Sequence, residues 1–352
     1  MALIVSISGI RGTIGGKPGN ALTPIEIVNF SSAYSRWLSE QESHQTQTRK
    51  VVIGRDARVS GPIVSQLVSN TLMACGVDII DLGLATTPTV EMAVTHFKAQ
   101  GGIIITASHN PAQWNALKLL NSKGEFISGA EGNLLLRLIE NSDFEYATYD
   151  KLGKYSTFDF TQHHIDSILK LPLVDVESIK SKKYKVVFDA INSVGSIAIP
   201  PLLEQLGVEC VVLNGEPNGI FAHNPEPLEK HLGETLATVK AKKADMGIVV
   251  DPDVDRLAFI DEHGVMFGEE YTLVAIADYV LQHTPGNTVS NLSSSRALSD
   301  ITAKHGQKYT AAAVGEVNVV EMMKKTNAVI GGEGNGGIIY PPLHYGRDAL
   351  VG

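Results

Sequence analysis

Three aspartates at alternate positions in one short segment are the residues of this sequence best suited to holding a metal ion. Asp251, Asp253 and Asp255 follow the apolar run 247–250, which is typical of a β-strand, and Arg256 ends the segment. Carboxylates this close repel one another strongly unless a cation or basic groups compensate. Their oxygens are hard ligands that suit Mg²⁺ or Ca²⁺. The sequence therefore predicts a metal site in this segment, which we call the metal loop.

Two other interpretations of these aspartates are an EF-hand and a solvated acidic turn. The aspartates take the first, third and fifth places of an EF-hand loop, and Glu262 takes the twelfth. That loop needs glycine at its sixth place, where this chain has Arg256, and helices on both sides, where strand-like residues follow here. The EF-hand fails on both counts, and we rank the acidic turn below the metal site.

A second segment, Thr106-Ala-Ser-His-Asn-Pro111, follows the apolar run 103–105. Ser108 is therefore expected in a loop at the carboxyl end of a strand, the edge where ligands bind in open α/β sheets. Ser, Asn and Pro are also common turn residues, so an ordinary turn is the alternative. His109 could serve as a neighbouring base, but no Gly-x-Ser-x-Gly segment is present, so serine-hydrolase chemistry is poorly supported.

A glycine-rich segment, Gly331-Gly-Glu-Gly-Asn-Gly-Gly337, presents Glu333 and Asn335 in backbone that a ligand can approach closely. A carboxylate and an amide can accept from and donate to vicinal sugar hydroxyls. The segment is neither a P-loop nor a dinucleotide fingerprint. Taken alone it is a weak indication of a binding loop.

Basic side chains stand near these segments, namely those of Arg11, Arg55, Arg58 and Lys118. Ordinary surface charge is the alternative role for each of them. It fits Arg58 better than Arg11, because Arg11 lies in the glycine-flanked segment Gly9-Ile-Arg-Gly-Thr13.

The elements that position these loops can be read from short apolar runs with helix-like segments between them. The runs lie at 51–53, 78–80, 103–105, 186–188, 211–213 and 247–250. Such continuous runs are typical of strands covered on both faces, which predicts α/β layers rather than a sandwich or a bundle. Segments 72–80 and 203–212 both indicate a helix end, a capping glycine and a strand, which favours repeated domains.

Domain boundaries follow from length and from breaks in the pattern. A chain of 352 residues is long enough for two or three domains. Residues 142–160 show no sustained period, and 257–267 indicates a hairpin that opens a new unit. We therefore predict domains at 1–150, 151–256 and 257–352, carrying Ser108, the metal loop and the glycine-rich loop.

Composition and net charge exclude several classes of function. Apolar residues make up 43% and charged residues 19% of the chain, as in ordinary globular proteins. The net charge of −9 argues against non-specific nucleic-acid binding, but a small phosphorylated ligand needs only a local basic pocket. Cys75 and Cys210 show no zinc or disulfide spacing, and no run approaches the ~18 apolar residues of a membrane span. We expect a cytoplasmic protein without nucleic-acid or membrane partners.

Together these segments resemble the α-D-phosphohexomutase superfamily, which includes phosphoglucomutase, phosphomannomutase and phosphoglucosamine mutase. The resemblance runs through the chain in the family's order, from 9–13 through 106–111, 221–227 and 251–256 to 332–336. It implies repeated three-layer α/β/α domains with mixed, mostly parallel sheets. It also implies an isomerase that interconverts hexose or hexosamine 6-phosphates and 1-phosphates through a phosphoserine and a bound 1,6-bisphosphate.

The resemblance further assigns roles to residues. It implies that Ser108 carries the phosphoryl group and that Mg²⁺ is the cofactor. The metal ligands that it implies are Ser108, Asp251, Asp253 and Asp255. The catalytic residues that it implies are Ser108, Lys118 as acid/base, His109 and Arg11, and the substrate-binding residues that it implies are Arg256, Glu333 and Asn335.

Several positions depart from the family pattern. Pro252 and Val254 stand where many members have glycine, and Ser293 stands where some have lysine. The Glu-Gly-Asn of the glycine-rich loop favours phosphoglucosamine mutase over phosphomannomutase or phosphoglucomutase. The family's substrate-phosphate loop in a further domain is not in this sequence, and 344–350 resembles the start of a helix cut short. We therefore expect a fragment that keeps the metal and Ser108 but turns over poorly.

Two alternative functions stay open. A sugar-phosphate-binding protein without mutase activity would keep these loops but not the reaction. A metal-dependent phosphatase would share the aspartates but would not need the Ser-His-Asn-Pro loop. The sequence does not indicate an oligomeric state.

Overall fold

The computed structural model describes residues 2–6, 9–41 and 49–352. The chain divides into two compact units, Met1–Phe160 and Thr161–Gly352. Among the helices in the described ranges, none has the length and apolar character needed to cross a membrane.

The first unit is one mixed sheet with helices on both faces. Its strands are β1 (Leu3–Ser6), β2 (Gly9–Thr13), β3 (Lys50–Arg55), β4 (Asp78–Leu84), β5 (Gly101–Ile105), β6 (Trp114–Leu120) and β7 (Tyr155–Thr157). Its helices are α1 (Pro24–Gln41), α2 (Gly61–Ala74), α3 (Thr87–His96) and α4 (Gly129–Glu140), with a short 3₁₀ turn at Tyr149–Lys151. The strand order is β1-β2-β6-β5-β3-β4-β7, in which β5, β3, β4 and β7 are parallel.

Burial on both faces explains why the apolar runs form strands here. Val51 and Ile53 of β3 pack in one cluster with residues of α1, α2 and α4. Val52, between them, packs on the other face with residues of α3 such as Val90. Alternate residues of one run thus enter two different cores, as expected of a central strand in a three-layer sandwich.

The second unit contains two four-stranded sheets of similar plan. The first half has α5 (Thr161–Leu169), α6 (Val176–Lys182), β8 (Lys185–Asp189), α7 (Gly195–Gln205), β9 (Glu209–Leu213), α8 (Gly233–Lys242), β10 (Met246–Val250) and β11 (Leu257–Ile260), with a 3₁₀ turn at Glu229–His231. The second half has α9 (Glu269–His283), β12 (Asn287–Asn291), α10 (Ala297–Lys304), β13 (Tyr309–Ala312), α11 (Glu316–Thr326), β14 (Ala328–Glu333) and β15 (Gly337–Ile339). The orders are β11-β10-β8-β9 and β13-β12-β14-β15, each with one antiparallel edge strand, β11 or β15. The predicted class of α/β/α domains with mixed, mostly parallel sheets is confirmed.

The repeated helix–glycine–strand segments are also confirmed. After α2 the chain passes through Gly76 at φ +77° into β4, and after α7 it passes through Gly207 at φ +68° into β9. Both glycines adopt the left-handed conformation that ends a helix at little cost in glycine.

Strand pairing extends past the residues predicted as the first two domain ends, which stay predictions. β7 pairs with β4, so the first sheet continues past residue 150. β11 pairs with β10, so the second sheet continues past Arg256 to Ile260. The predicted hairpin at 257–267 does form, but its first strand completes the second sheet because the metal loop turns the chain back alongside β10.

The helix start expected at 344–350 is wrong. These residues form a bend and a turn without a helix, and the N–H of Asp348 donates to Ile338 O (2.8 Å) and that of Ala349 to Val254 O (3.2 Å). The backbone donors are thus used by β15 and by the metal loop rather than by a helix.

Candidate active site

The loop after β5 holds Ser108 in an uncommon backbone conformation. Ser108 has φ +48°, in the left-handed region that residues other than glycine seldom adopt. Its N–H donates to Thr106 Oγ1 (2.9 Å), and the N–H of Asn110 donates to Ala107 O (3.0 Å). Thr106 Oγ1 in turn donates to Asp56 Oδ2 (2.6 Å). The turn is therefore closed locally and fastened to the segment after β3.

Arg58 is the centre of this arrangement and is only 1% exposed. Its Nε donates to Asp56 Oδ2 at 3.0 Å, in an ion pair that is wholly buried. Its remaining donors bond the backbone carbonyls of Ser108, Asn110, Pro111 and Trp114. The interpretation of Arg58 as surface charge is wrong, because a buried guanidinium must be paired and hydrogen-bonded, and this one holds the Ser108 loop. Arg11, by contrast, is exposed.

The hydroxyl of Ser108 lies beside His109. Ser108 is 7% exposed, and its Oγ is 3.4 Å from His109 Nδ1, a long separation for a hydrogen bond. A residue whose backbone is held by a buried scaffold has a fixed Cα–Cβ direction. The loop can therefore present the oxygen of Ser108, or a group attached to it, within a narrow range of positions.

Arg11 and Lys118 lie on one face of the first sheet. Arg11 on β2 is opposite Ala116 on β6, and Lys118 follows two positions later on β6. Because side chains alternate along a strand, Arg11 and Lys118 are diagonal neighbours. Lys118 Nζ lies 5.7 Å from the centroid of the Phe126 ring, and its strand pairs with β5, which leads to Ser108.

The metal loop connects the antiparallel strands β10 and β11. Asp251, Asp253 and Asp255 are fully buried, and each offers an oxygen within 4.8 Å of the others. Burial and the charges of Asp253 and Asp255 raise the pKa of Asp251 well above its ordinary value. Buried oxygen donors that repel one another fit a divalent cation, and the flanking strands exclude an EF-hand.

Val254 marks a strained point within the metal loop. It is fully buried at φ +62°, a conformation that is costly for a β-branched residue. Its N–H donates to Asp251 O (3.1 Å). The structure thus explains why glycine would suit this position and shows valine held there by its surroundings.

The glycine-rich loop connects β14 to β15. Glu333 is 5% exposed and accepts from Asn291 Nδ2 (2.7 Å), with Asn335 Nδ2 at 3.5 Å. Burial alone would raise the pKa of Glu333, but the charge of Arg347 and these side-chain donors outweigh burial and lower it. The glycines permit close packing, since a Cβ on Gly336 would lie 2.2 Å from the backbone oxygen of Leu257. Glu333 is therefore ionised and well fixed, while Asn335 is half-buried.

Arg256 and Arg347 supply positive charge in the second unit. Arg256 is 9% exposed and its Nη1 lies 3.6 Å from Glu226 Oε1. Arg347, which sequence analysis did not single out, pairs with Asp255, Glu333 and Glu316. The acidic residues did indicate that a positively charged partner lies nearby in the fold. The position of that partner in the sequence could not be deduced from spacing.

Comparison with known protein families divides the chain into three segments, one for each sheet. Residues 3–146, 162–264 and 268–352 match the family descriptions "Phosphoglucomutase/phosphomannomutase, alpha/beta/alpha domain" I, II and III in turn. The chain belongs to the phosphoglucomutase/phosphomannomutase family. The predicted resemblance is confirmed, and the chain is a phosphohexomutase, an isomerase that acts by intramolecular phosphoryl transfer.

Individual relatives support this assignment. The chain is 37% identical over 344 residues to a "Phosphoglucomutase/phosphomannomutase" of Thermococcus kodakarensis, which covers 97% of this chain and 74% of that protein. It is 32% identical over 357 residues to a "Phosphoglucosamine/phosphogalactosamine mutase" of Sulfurisphaera tokodaii, covering 100% of this chain and 76% of that protein. A crystal structure of a phosphoglucomutase/phosphomannomutase family protein from Burkholderia thailandensis superimposes with a TM-score of 0.84 at 26% identity, covering 99% of this chain and 75% of that one.

Proposed function

We propose that this phosphohexomutase interconverts the 6- and 1-phosphates of glucosamine through a phosphoryl group carried by Ser108. The observation that carries the proposal is the Ser108 loop, in which Arg58 and Asp56 hold a left-handed serine at the end of β5. A hydrolytic nucleophile would need a strong adjacent base, whereas a phosphoryl carrier needs above all a fixed direction.

Each half-reaction exchanges one P–O bond for another. The bond between phosphorus and Ser108 Oγ breaks as phosphorus bonds a hydroxyl oxygen of the sugar monophosphate, which gives a 1,6-bisphosphate. Lys118 relays the hydroxyl proton to the departing Ser108 Oγ, and the reverse half-reaction moves the proton the opposite way as the other phosphoryl group returns to Ser108. His109 and Arg11 assist by hydrogen bonding and positive charge.

Asp251, Asp253 and Asp255 hold the divalent cation in this proposal, with Mg²⁺ as the preferred ion. A divalent cation held there would supply positive charge that neutralises a phosphoryl group, and such neutralisation is the main requirement of phosphoryl transfer. Ser108 as a further ligand remains a prediction from the resemblance.

Substrate recognition is assigned to Glu333, Asn335 and Arg256. Glu333 is ionised and accepts hydrogen bonds, while the half-buried Asn335 can both donate and accept. These groups suit vicinal sugar hydroxyls or an amino group, and Arg256 suits a phosphate. The similarity to the phosphoglucosamine/phosphogalactosamine mutase supports a hexosamine phosphate as substrate.

The test is to incubate the purified protein with Mg²⁺, a trace of hexose 1,6-bisphosphate, and the 6-phosphates of glucosamine, glucose and mannose in separate reactions. We expect 1-phosphate products, formed slowly in keeping with the poor turnover expected above, fastest with glucosamine, and none with Ser108→Ala. Release of inorganic phosphate without isomerisation would instead identify a phosphatase. Binding of all three sugar phosphates without turnover, by protein shown to carry phosphate on Ser108, would identify a binding protein.

A further inference from the structure

One guanidinium joins three carboxylates that come from three separate segments. Arg347 Nη2 donates to Asp255 Oδ2 (2.7 Å), and Nη1 donates to Glu333 Oε2 (2.8 Å). Its Nε and its backbone N–H donate to the two carboxylate oxygens of Glu316, at 2.9 and 3.1 Å. Asp255 lies in the metal loop, Glu333 at the start of the glycine-rich loop and Glu316 at the start of α11. All four side chains are at most 10% exposed.

The environment of Arg347 is strongly acidic. Carboxylate oxygens of Asp255, Glu333 and Glu316 lie 2.7, 2.8 and 2.9 Å from its guanidinium nitrogens. A buried guanidinium of this kind is tolerated because every partner is a carboxyl group whose oxygens accept its hydrogen bonds.

The segment that carries Arg347 is itself held in place. The carboxylate of the next residue, Asp348, accepts from Nε2 of His164 (2.9 Å) and of His344 (3.2 Å). The backbone N–H of Leu350 also donates to Asp348 Oδ1 (2.8 Å). The base of the Arg347 side chain therefore cannot shift freely toward one partner or away from another.

The stem of Arg347 lies against the glycine-rich loop. A Cβ on Gly337 would lie 2.3 Å from Arg347 Cδ, so this contact requires glycine at that position. The guanidinium is a rigid planar fork whose donors have fixed separations. Its two terminal nitrogens therefore set the spacing between Asp255 and Glu333.

We propose that Arg347 is a positioning residue that fixes the metal loop relative to the glycine-rich loop and thereby couples the binding of divalent cation to the binding of sugar phosphate. The inference rests on the proposed function for the identity of the two ligands. A cation that draws Asp255 toward itself reorients the guanidinium of Arg347 while the base of the side chain stays held, and this reorientation acts on Glu333. By thermodynamic linkage, sugar phosphate must then tighten cation binding by the same factor.

The test measures Mn²⁺ binding by electron paramagnetic resonance of the free ion, with and without saturating glucosamine 6-phosphate. A Ser108→Ala background prevents phosphoryl transfer during the titration. Arg347→Gln removes the fork, Arg347→Lys keeps the charge without the fork, and Arg36→Gln is the matched control in an exposed surface pair with Glu40. Circular dichroism verifies that each variant is folded.

We expect the sugar phosphate to tighten Mn²⁺ binding by ~5-fold or more in the parent and in Arg36→Gln. In Arg347→Gln the factor should fall to about 1, whatever the affinity for Mn²⁺ alone. If that variant does not fold, Arg347→Lys carries the test, since an ammonium keeps the buried charge balanced but lacks the fork, and its factor should also fall to about 1.

An unchanged coupling factor in the folded Arg347 variants would overturn the inference, because the binding of the two ligands would then be coupled without Arg347. A parent factor of about 1 would overturn it as well. Failure of the proposed function has a different signature, namely coupling of the two ligands in the Ser108→Ala background together with no isomerisation of any sugar phosphate by the protein that keeps Ser108.

Discussion

In each unit a buried arginine organises a functional loop, but Arg58 and Arg347 do so by different means. Arg58 gives most of its donors to backbone carbonyls of the Ser108 loop, so it fixes the shape of the chain. Arg347 gives its donors to carboxylates, including Asp255 and Glu333, so it fixes charged side chains. This difference indicates that the Ser108 loop needs a defined backbone conformation, whereas the metal loop and the glycine-rich loop need their negative charges balanced. Replacing Arg58 should therefore act mainly on folding.

The largest expected effect is that of Arg58→Met on the stability of the first unit. The substitution leaves the buried Asp56 without its ion-pair partner and removes the donors of four carbonyls, so we expect a loss of about 3–5 kcal/mol. Both tryptophans of the chain, Trp37 and Trp114, lie in this unit, so tryptophan fluorescence during urea unfolding reports on it. Arg36→Met is the exposed control, and a loss below about 1 kcal/mol for Arg58→Met would contradict the role given to Arg58.

Removal of the metal should lower the free energy of unfolding of the second unit, because the three aspartates of the metal loop then repel one another. At a Mg²⁺ concentration of ~100 times its dissociation constant we expect a gain of about 2.7 kcal/mol in the free energy of unfolding. Asp253→Asn should abolish most of that gain and stabilise the metal-free protein, because it removes one of three mutually repelling buried carboxylates. Thermal unfolding followed by circular dichroism, with and without chelator, measures both effects. Equal Mg²⁺ stabilisation of parent and variant would place the cation elsewhere.

The segment 221–227 differs from the two arginine-held loops because it is held by a histidine, so its contribution to the free energy of unfolding should depend on pH. His223 Nε2 donates to Asp189 Oδ2 (3.1 Å) and its Nδ1 to Asn224 O (2.9 Å), so both ring nitrogens donate, as in an imidazolium. Burial would lower the pKa of His223, but the Asp189 carboxylate outweighs it and raises the pKa above 6.5.

A raised histidine pKa contributes stability that is complete below the unfolded value of 6.5 and is lost as pH rises through the folded value. We expect the parent to lose about 1–2 kcal/mol over that range and His223→Gln to lack this part of the loss. Urea unfolding of both proteins at a series of pH values from 6 upward gives the difference. Parallel curves for the two proteins would show that His223 is not charged in the folded state.

The smallest expected effect is that of Glu226→Gln. Its ion pair with Arg256 has a separation of 3.6 Å and a half-exposed carboxylate, so we expect a loss of about 0.5 kcal/mol or less. The Michaelis constant for the sugar phosphate should change more than the turnover number if Arg256 binds the phosphate, because Glu226 orients that guanidinium. Equal changes in both constants would argue against a binding role for Arg256.

Sequence reasoning found the loops because each follows a recognisable apolar strand. Asp251 comes directly after β10, and Ser108 comes shortly after β5, so the strand pattern places both at the edge of a sheet. It could not find the role of Arg58 or Arg347, because their partners are distant in sequence and become neighbours only in the folded chain. Arg58 even had the appearance of surface charge.

The same limit applies to the sheets. The apolar runs predicted β3, β5, β8 and β10, which are buried on both faces. They did not predict β2 or β6, which carry Arg11 and Lys118 among their residues and so interrupt the apolar pattern. Nor could they assign β11 to the second sheet, since its pairing depends on the turn made by the metal loop.

Phosphorylation of Ser108 is the central claim, and peptide mapping by mass spectrometry tests it most directly. The purified protein is incubated with Mg²⁺ and glucose 1,6-bisphosphate and is then digested and sequenced. Ser108→Ala and a sample incubated with chelator in place of Mg²⁺ are treated in the same way. We predict one phosphoryl group, on Ser108, in the parent with metal, and none in the variant or in the sample with chelator. Phosphate on another residue, or an equal phosphate adduct in Ser108→Ala, would contradict the account.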